Sequence, residues 1–204
     1  MPGTDSTRAP QPHGRVRWRR FAVAAVPALA FAAVVTGATT TGAIASSISV
    51  SGKEYLITSR QLDGHGFVQY GGTVDSDQGG GQHATKPVMV SGIRHATLSH
   101  LCQSVDVGPV TLRLTAGSGS TPVSADNLTV DSSGQSGTLA VFHNVSIGQD
   151  ASTLNKDGAS SGAASAFGEQ ADSVTIDNLR QDTWLTTAGT FTLPGLSLGF
   201  GHGC

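Results

Sequence analysis

Aromatic side chains are scarce in this chain, 5% of 204 residues, and charged residues make up only 13%. Few aromatics beside abundant Gly, Ser and Thr argue against a helical bundle and for β structure with tight turns. Basic residues are scarcer still beyond the N terminus, because Arg8, Arg15, Arg17, Arg19 and Arg20 all lie within the first twenty positions. The remainder is clearly acidic. That excludes duplex nucleic acid as a partner, since neutralising phosphates takes clustered Lys and Arg. Only Cys102 and Cys204 are present. No cysteine directly follows the apolar N-terminal stretch, so lipid anchoring through an N-terminal cysteine is excluded. Neither cysteine stands at finger spacing from a histidine, and no H-x-x-x-H pair occurs, so no metal site is expected. The mature histidines, at 65, 83, 95, 100, 143 and 202, read as surface or bend residues. His95 and His100 fall on opposite parities of one strand. Asp63, Asp75 and Asp77 sit among glycines but lack the D-x-D-x-D-G order of a calcium loop. No cofactor is expected.

What is present begins with a targeting pattern. A basic region, residues 1–20, precedes Phe21 to Val35, which is apolar and interrupted only by Pro27. Small and hydroxylated residues follow, then Ala43-Ile44-Ala45. A charged start, an apolar run and an A-x-A site define a secretory signal with cleavage after Ala45. A retained anchor over 21–45 is the alternative, because Ala38 and Ala43 to Ala45 extend the apolar run toward the length of a span. Residues 46–204 then form one exported domain, either membrane-anchored by the N-terminal segment or secreted to the envelope.

In that domain the apolar residues alternate with period two: Tyr55 and Ile57, Val88 and Val90, Val110 to Leu114, Val174 and Ile176, Leu196 to Phe200. Gly71-Gly72, Gly79 to Gly81, Gly117 to Gly119 and Ser133-Gly134 read as turns. Ala151 to Gly168 reads mostly as a loop, with one helix-like interval over 163–171. The fold expected is all-β, a single curved or sandwich-like antiparallel sheet behind an N-terminal signal or anchor helix. A weak repeat runs through it. Ala96 to Leu101, Val123 to Leu128, Ala140 to Val145 and Val174 to Leu179 each carry two alternating apolar residues, then a pair ending in His or Asn, then an apolar residue one step out of phase. A one-residue slip moves a side chain to the other face of a sheet, and Asn tolerates the unusual dihedrals of a bulge. The strands are therefore expected to bend at His100, Asn127, Asn144 and Asn178. The formal glycosylation sequons at Asn127 and Asn144 are explained by the same repeat.

Catalytic chemistry has one candidate. Gly158-Ala-Ser160-Ser-Gly162 matches a nucleophile elbow, and Ser160, Asp177 and His202 would give a hydrolase order of nucleophile, acid and base. An elbow must follow a buried strand, however, and here Asn155-Lys156-Asp157 precedes it. The two cysteines, both in an oxidising compartment, are expected to form a Cys102–Cys204 disulfide.

The chain also resembles a family of exported actinobacterial proteins of unknown function, many of which carry the label cholesterol esterase. The resemblance rests on Arg17-Trp-Arg-Arg-Phe-Ala22, Leu62-Asp-Gly-His-Gly-Phe-Val-Gln-Tyr-Gly71, Cys102-Gln-Ser104, Val110 to Gly117, Phe167 to Asp172, Trp184 to Phe191 and Gly203-Cys204. It implies no catalytic residues. Two readings follow: a non-enzymatic envelope protein, structural or binding a lipid or another ligand, with a lipid or an envelope protein as partner; and a lipid-ester hydrolase.

Overall fold

The computed structural model describes residues 53–77 and 83–204. The basic region, the apolar segment 21–45, the Ala45 cleavage site and the glycines 79–81 lie outside the described residues. Among the described residues ten strands follow one another: β1 (Tyr55–Asp77), β2 (His83–Ser99), β3 (Leu101–Val107), β4 (Val110–Ala116), β5 (Val123–Ser136), β6 (Leu139–His143), β7 (Ser146–Asp150), β8 (Phe167–Thr187), β9 (Thr190–Thr192) and β10 (Ser197–Gly201). The described residues hold no α-helix, only a 3₁₀ turn at Ala151–Thr153. All pairings are antiparallel within one sheet, so the all-β expectation holds.

The sheet is not a sandwich of two layers. β1 pairs with both β2 and β8, β2 pairs with β5, and β5 pairs with β8. These four long strands therefore close into a ring. Closure depends on β5, which pairs with β2 over Val123–Ser132 and with β8 over Thr129–Ser136, so that residues 129–132 hold both partners. Register shifts at Asp131/Ser132 and Ser132/Gly134 fall at the end of that overlap, where a bulge bends a strand and raises its twist. Ser133-Gly134 is thus a bulge within a strand, not the turn expected. Gly71-Gly72 likewise runs straight through β1, paired with Val88 and Met89. Inside the ring sit Ile57, Leu62, Phe67, Ile93, Leu128 and Val174, with ten further buried apolar residues.

The expected bends are present. His100, Asn127, Asn144 and Asn178 adopt φ of 54°, 50°, 50° and 51°. Their effect on the core is direct. Ala96, Leu98 and Leu101 are buried, as are Val123, Ala125 and Leu128, and Val174, Ile176 and Leu179. In each trio the left-handed residue inserts an extra step, so the third side chain returns to the interior. Gly66, with φ of 68°, does the same between Leu62 and Phe67 in β1. The sites also align across the sheet. Gly66 lies opposite Arg94 and Asp172, and Arg94 lies opposite Asn127. A second line, six residues along, joins Arg60 to His100 and Asn178. The left-handed residue falls on β1 and β5 in the first line and on β8 and the β2–β3 junction in the second. Two parallel creases therefore curl the sheet.

The helix-like interval 163–171 is corrected. Residues 163–166 form a turn, and β8 starts at Phe167. Gly168 pairs with Tyr70, and long-range pairing outweighs a weak local preference for helix. Beyond the ring, β3 pairs with Leu56–Thr58 of β1, β4 pairs with β3, and β10 pairs with β4. This three-strand flap carries the C-terminal end of the chain.

Candidate functional site

Inside the ring the core leaves a cavity of about 30 Å³. Its lining mixes apolar residues, among them Ile57, Phe67 and Val174, with the polar Ser91, Gln103, Gln135 and Gln181. Gln135 Oε1 accepts from Gln181 Nε2 at 3.2 Å and from Gln69 Nε2 at 3.4 Å, while Gln69 Nε2 also donates to Ser91 Oγ at 2.7 Å. Glutamines that satisfy one another avoid the cost of unpaired burial. The crease at Asn178 is what brings Gln181 inward with Leu179. Such a space holds one or two waters, whereas ligand pockets typically run to about 300–1,000 Å³. The cavity is therefore too small for a lipid.

The outer face of the first crease is covered by the loop that follows the 3₁₀ turn. Lys156 is its centre. Its carbonyl accepts from Arg94 Nη2, and its Nζ lies 2.5 Å from Asp172 Oδ1 and 3.0 Å from the Asn144 carbonyl. A Cβ on Gly66 would stand 2.4 Å from the Lys156 carbonyl oxygen, so only glycine permits this approach. The Gln170 side chain accepts from the amides of Asn155 and Lys156. Asp157 is 4% exposed and caps the amides of Ala159 and Ser160 at 3.0–3.1 Å. The Lys156 hydrogen bond, followed by that from Asn144, holds the Asp172 carboxyl below its ordinary pKa. Tyr70 lies under the same loop, and burial pushes its hydroxyl up, with the charges of Asp131 and Asp157 adding to the rise and a hydrogen bond to Ser160 opposing it.

Ser160 thus belongs to the loop's anchoring. It is not carried at the head of a strand. Its partner Tyr70 is level with Gly168 on β8. Asp177 lies further along β8, a path of roughly 30 Å along the strand at about 3.3 Å per residue, and accepts from Gln61 Nε2 at 3.1 Å. His202 follows β10, whose Gly201 pairs with Thr111 on the flap. The structure does not bring Ser160, Asp177 and His202 together.

Sheet register creates neighbours that sequence spacing concealed. His65 stands opposite His95, and His95 Nδ1 lies 2.7 Å from Asp126 Oδ1. Among the described residues, even so, no group of three is placed to hold a metal ion. Asp63 accepts from the Thr175 hydroxyl and Asp75 from that of Thr85, so these two acids bind neighbouring strands. Lys156 and Gly66 carried no sequence signal as a pair. Gln181 carried one, because the phase slip after Asn178 predicts that it turns inward.

The flap continues the inner face of the ring outward. In one row Ile57 is followed by Gln103, Leu114 and Leu198; in the next, Tyr55 is followed by Val105, Leu112 and Phe200. Opposed residues share a face. Exposure rises along each row, to 63% at Leu198 and 73% at Phe200. On the opposite face the chain folds back after Gly201. The Cys204 amide donates to Ser104 Oγ at 3.1 Å, and Cys204 lies at disulfide distance from Cys102, with Cα atoms 5.9 Å apart. An open surface cleft of about 480 Å³ adjoins this fold-back, lined by Glu54, Asp106, Arg180, Asp182 and Cys204 among others.

Fold and site together define an all-antiparallel closed-sheet domain with a packed interior and an open apolar flap. The chain belongs to a family of unknown function, DUF6230, which matches residues 51–204. No curated protein and no solved structure matches the chain.

Proposed function

We propose that this chain is an exported cell-envelope protein whose domain is non-enzymatic and acts through its surface. Residues 1–45 direct the domain out of the cytoplasm, and segment 21–45 either holds it at the membrane or is cleaved at Ala45. The observation that carries the surface reading is the contrast between the interior, closed to about 30 Å³, and the flap, where Leu198 and Phe200 stand open. Carriage of a lipid inside the ring has no room. Ester hydrolysis lacks an assembled triad. The test joins two measurements on the chain produced in an exporting host. A β-lactamase fused after Cys204 should confer resistance, which requires the fusion to act outside the cytoplasm. The purified chain should leave nitrophenyl and cholesteryl esters unhydrolysed. Ester turnover abolished by Ser160→Ala would overturn the reading in favour of a hydrolase.

A further inference from the structure

Two edges of the described sheet differ in character. Along β6 and β7 the edge is interrupted by left-handed Asn144, by Gly148 with φ of 84°, and by a register shift between Ile147 and Gln149. Breaks of this kind are how native proteins keep an edge from pairing with another chain. At another edge β10 pairs, among the described residues, with β4 alone over an unbroken five-residue register. Its sequence, Ser197-Leu-Gly-Phe-Gly201, carries no charge, no proline and no bulge, and all five residues are exposed. It is also held at its end, because Cys204 lies at disulfide distance from Cys102 on β3. A flat, apolar, tethered edge is a pairing template left open.

We propose that β10 pairs antiparallel with β10 of a second copy, joining two flaps into one continuous sheet. The proposal rests on the surface-contact reading above and names its partner. Two features select a second copy. First, antiparallel pairing of identical edges is two-fold symmetric and therefore self-complementary. An axis at Gly199 sets Leu198 of each copy opposite Phe200 of the other, on one face, so the two most exposed large apolar residues of the flap cover one another. Second, the domain is acidic, so approach of two copies is opposed over most of the surface. β10 is an uncharged strip, and the charged residue directly opposite it on β4 is Arg113, across from Gly199. The two Arg113 side chains would then lie about 14 Å apart across the axis, at roughly 4.8 Å per strand, beyond the screening length of about 8–10 Å at physiological salt.

Sedimentation velocity of the exported chain over a concentration series decides it. The expected result is a reversible monomer–dimer equilibrium. Phe200→Lys and Leu198→Lys should each raise the dissociation constant at least tenfold, with the thermal unfolding midpoint unchanged. In a Gly199→Cys chain, mild oxidation should yield a covalent dimer. A Ser197→Cys chain should yield less, because its counterpart in this register lies opposite Gly201. A chain that stays monomeric at every concentration overturns the dimer. A monomer that instead co-sediments with phosphatidylglycerol vesicles, and loses this with Phe200→Lys, also overturns it and assigns the edge to a lipid surface. Both leave the non-enzymatic reading standing, since that falls only with ester turnover.

Discussion

His100, Asn127 and Asn178 share one left-handed backbone conformation, and each lies where the buried pattern changes parity. A left-handed residue costs an ordinary side chain about 1–2 kcal/mol, and Asn pays less because its short amide is tolerated there. Asn127 isolates this effect, with φ of 50° and its neighbours Ala125 and Leu128 both in the core. Asn127→Gly should change stability by less than about 1 kcal/mol, since glycine gains backbone freedom but loses nothing sterically. Asn127→Val should lower it by about 1–3 kcal/mol, because a β-branched residue is strained at positive φ. Urea unfolding at constant slope separates the two. If valine lost no more than glycine, the crease would not be under backbone control. These residues were legible from sequence because a left-handed bend leaves a trace, an apolar residue arriving one position late after Asn or His. Gly66 left the same trace after Leu62 and Gly64. It escaped notice because a glycine among glycines reads as a turn.

At the scale of single elements, the loop over the first crease is held by carboxylates. Asp172 is lowered by Lys156 and then Asn144, and Asp150 by the amides of Ser152 and Ser165 and then the Ser152 hydroxyl. A carboxyl whose folded pKa lies below its unfolded value contributes its stabilisation above the unfolded value and loses it as pH falls through the folded one. The latch is therefore complete above about pH 4, the ordinary carboxylate range, and opens below it. Amide resonances of residues 155–166 should shift in a transition below about pH 4, while those of β1 and β2 stay in place. Asp172→Asn should produce part of the same shift at neutral pH. A loop insensitive to acid, or one that moves only with the whole domain, would contradict the latch. Sequence reading placed this segment as a loop but could not supply Lys156, whose partners Arg94 and Asp172 come from strands distant in sequence. The helix-like interval failed for the same reason: Phe167 to Ala171 is strand because β1 lies beside it, which no local window contains.

For the molecule as a whole, closure was the least legible property. Local alternation gives strands, and turn residues separate them. The pairing of Tyr55 with Thr183, and of Asp131 with Leu185, depends on the summed curvature of two creases and a bulge. The flap stands outside that ring and reaches the main core only at its inner end, through buried Leu101 and Ala116 and partly buried Leu114. Its attachment to the ring by hydrogen bonds is short, Leu56–Thr58 against Cys102–Ser104. The Cys102–Cys204 pair spans 102 residues, nearly the whole of the chain between the start of β3 and its end. Chain entropy assigns a bond closing a loop of that size about 4–5 kcal/mol, an upper figure where the unfolded state retains structure. That is a large fraction of the ~5–15 kcal/mol typical of a domain. Replacing both cysteines by serine should therefore lower the unfolding midpoint by on the order of 10–15 °C for a domain of this size. The loss should also be ordered in space. Amides of β10 and β4 should lose exchange protection first, because among the described residues β10 keeps only β4 as a partner, while β1, β2 and β8 keep theirs until global unfolding. A uniform loss across ring and flap would mean that the pair stabilises the whole ring and is not a clamp on its edge. Two free thiols per chain in the exported, unreduced protein would remove the bond altogether.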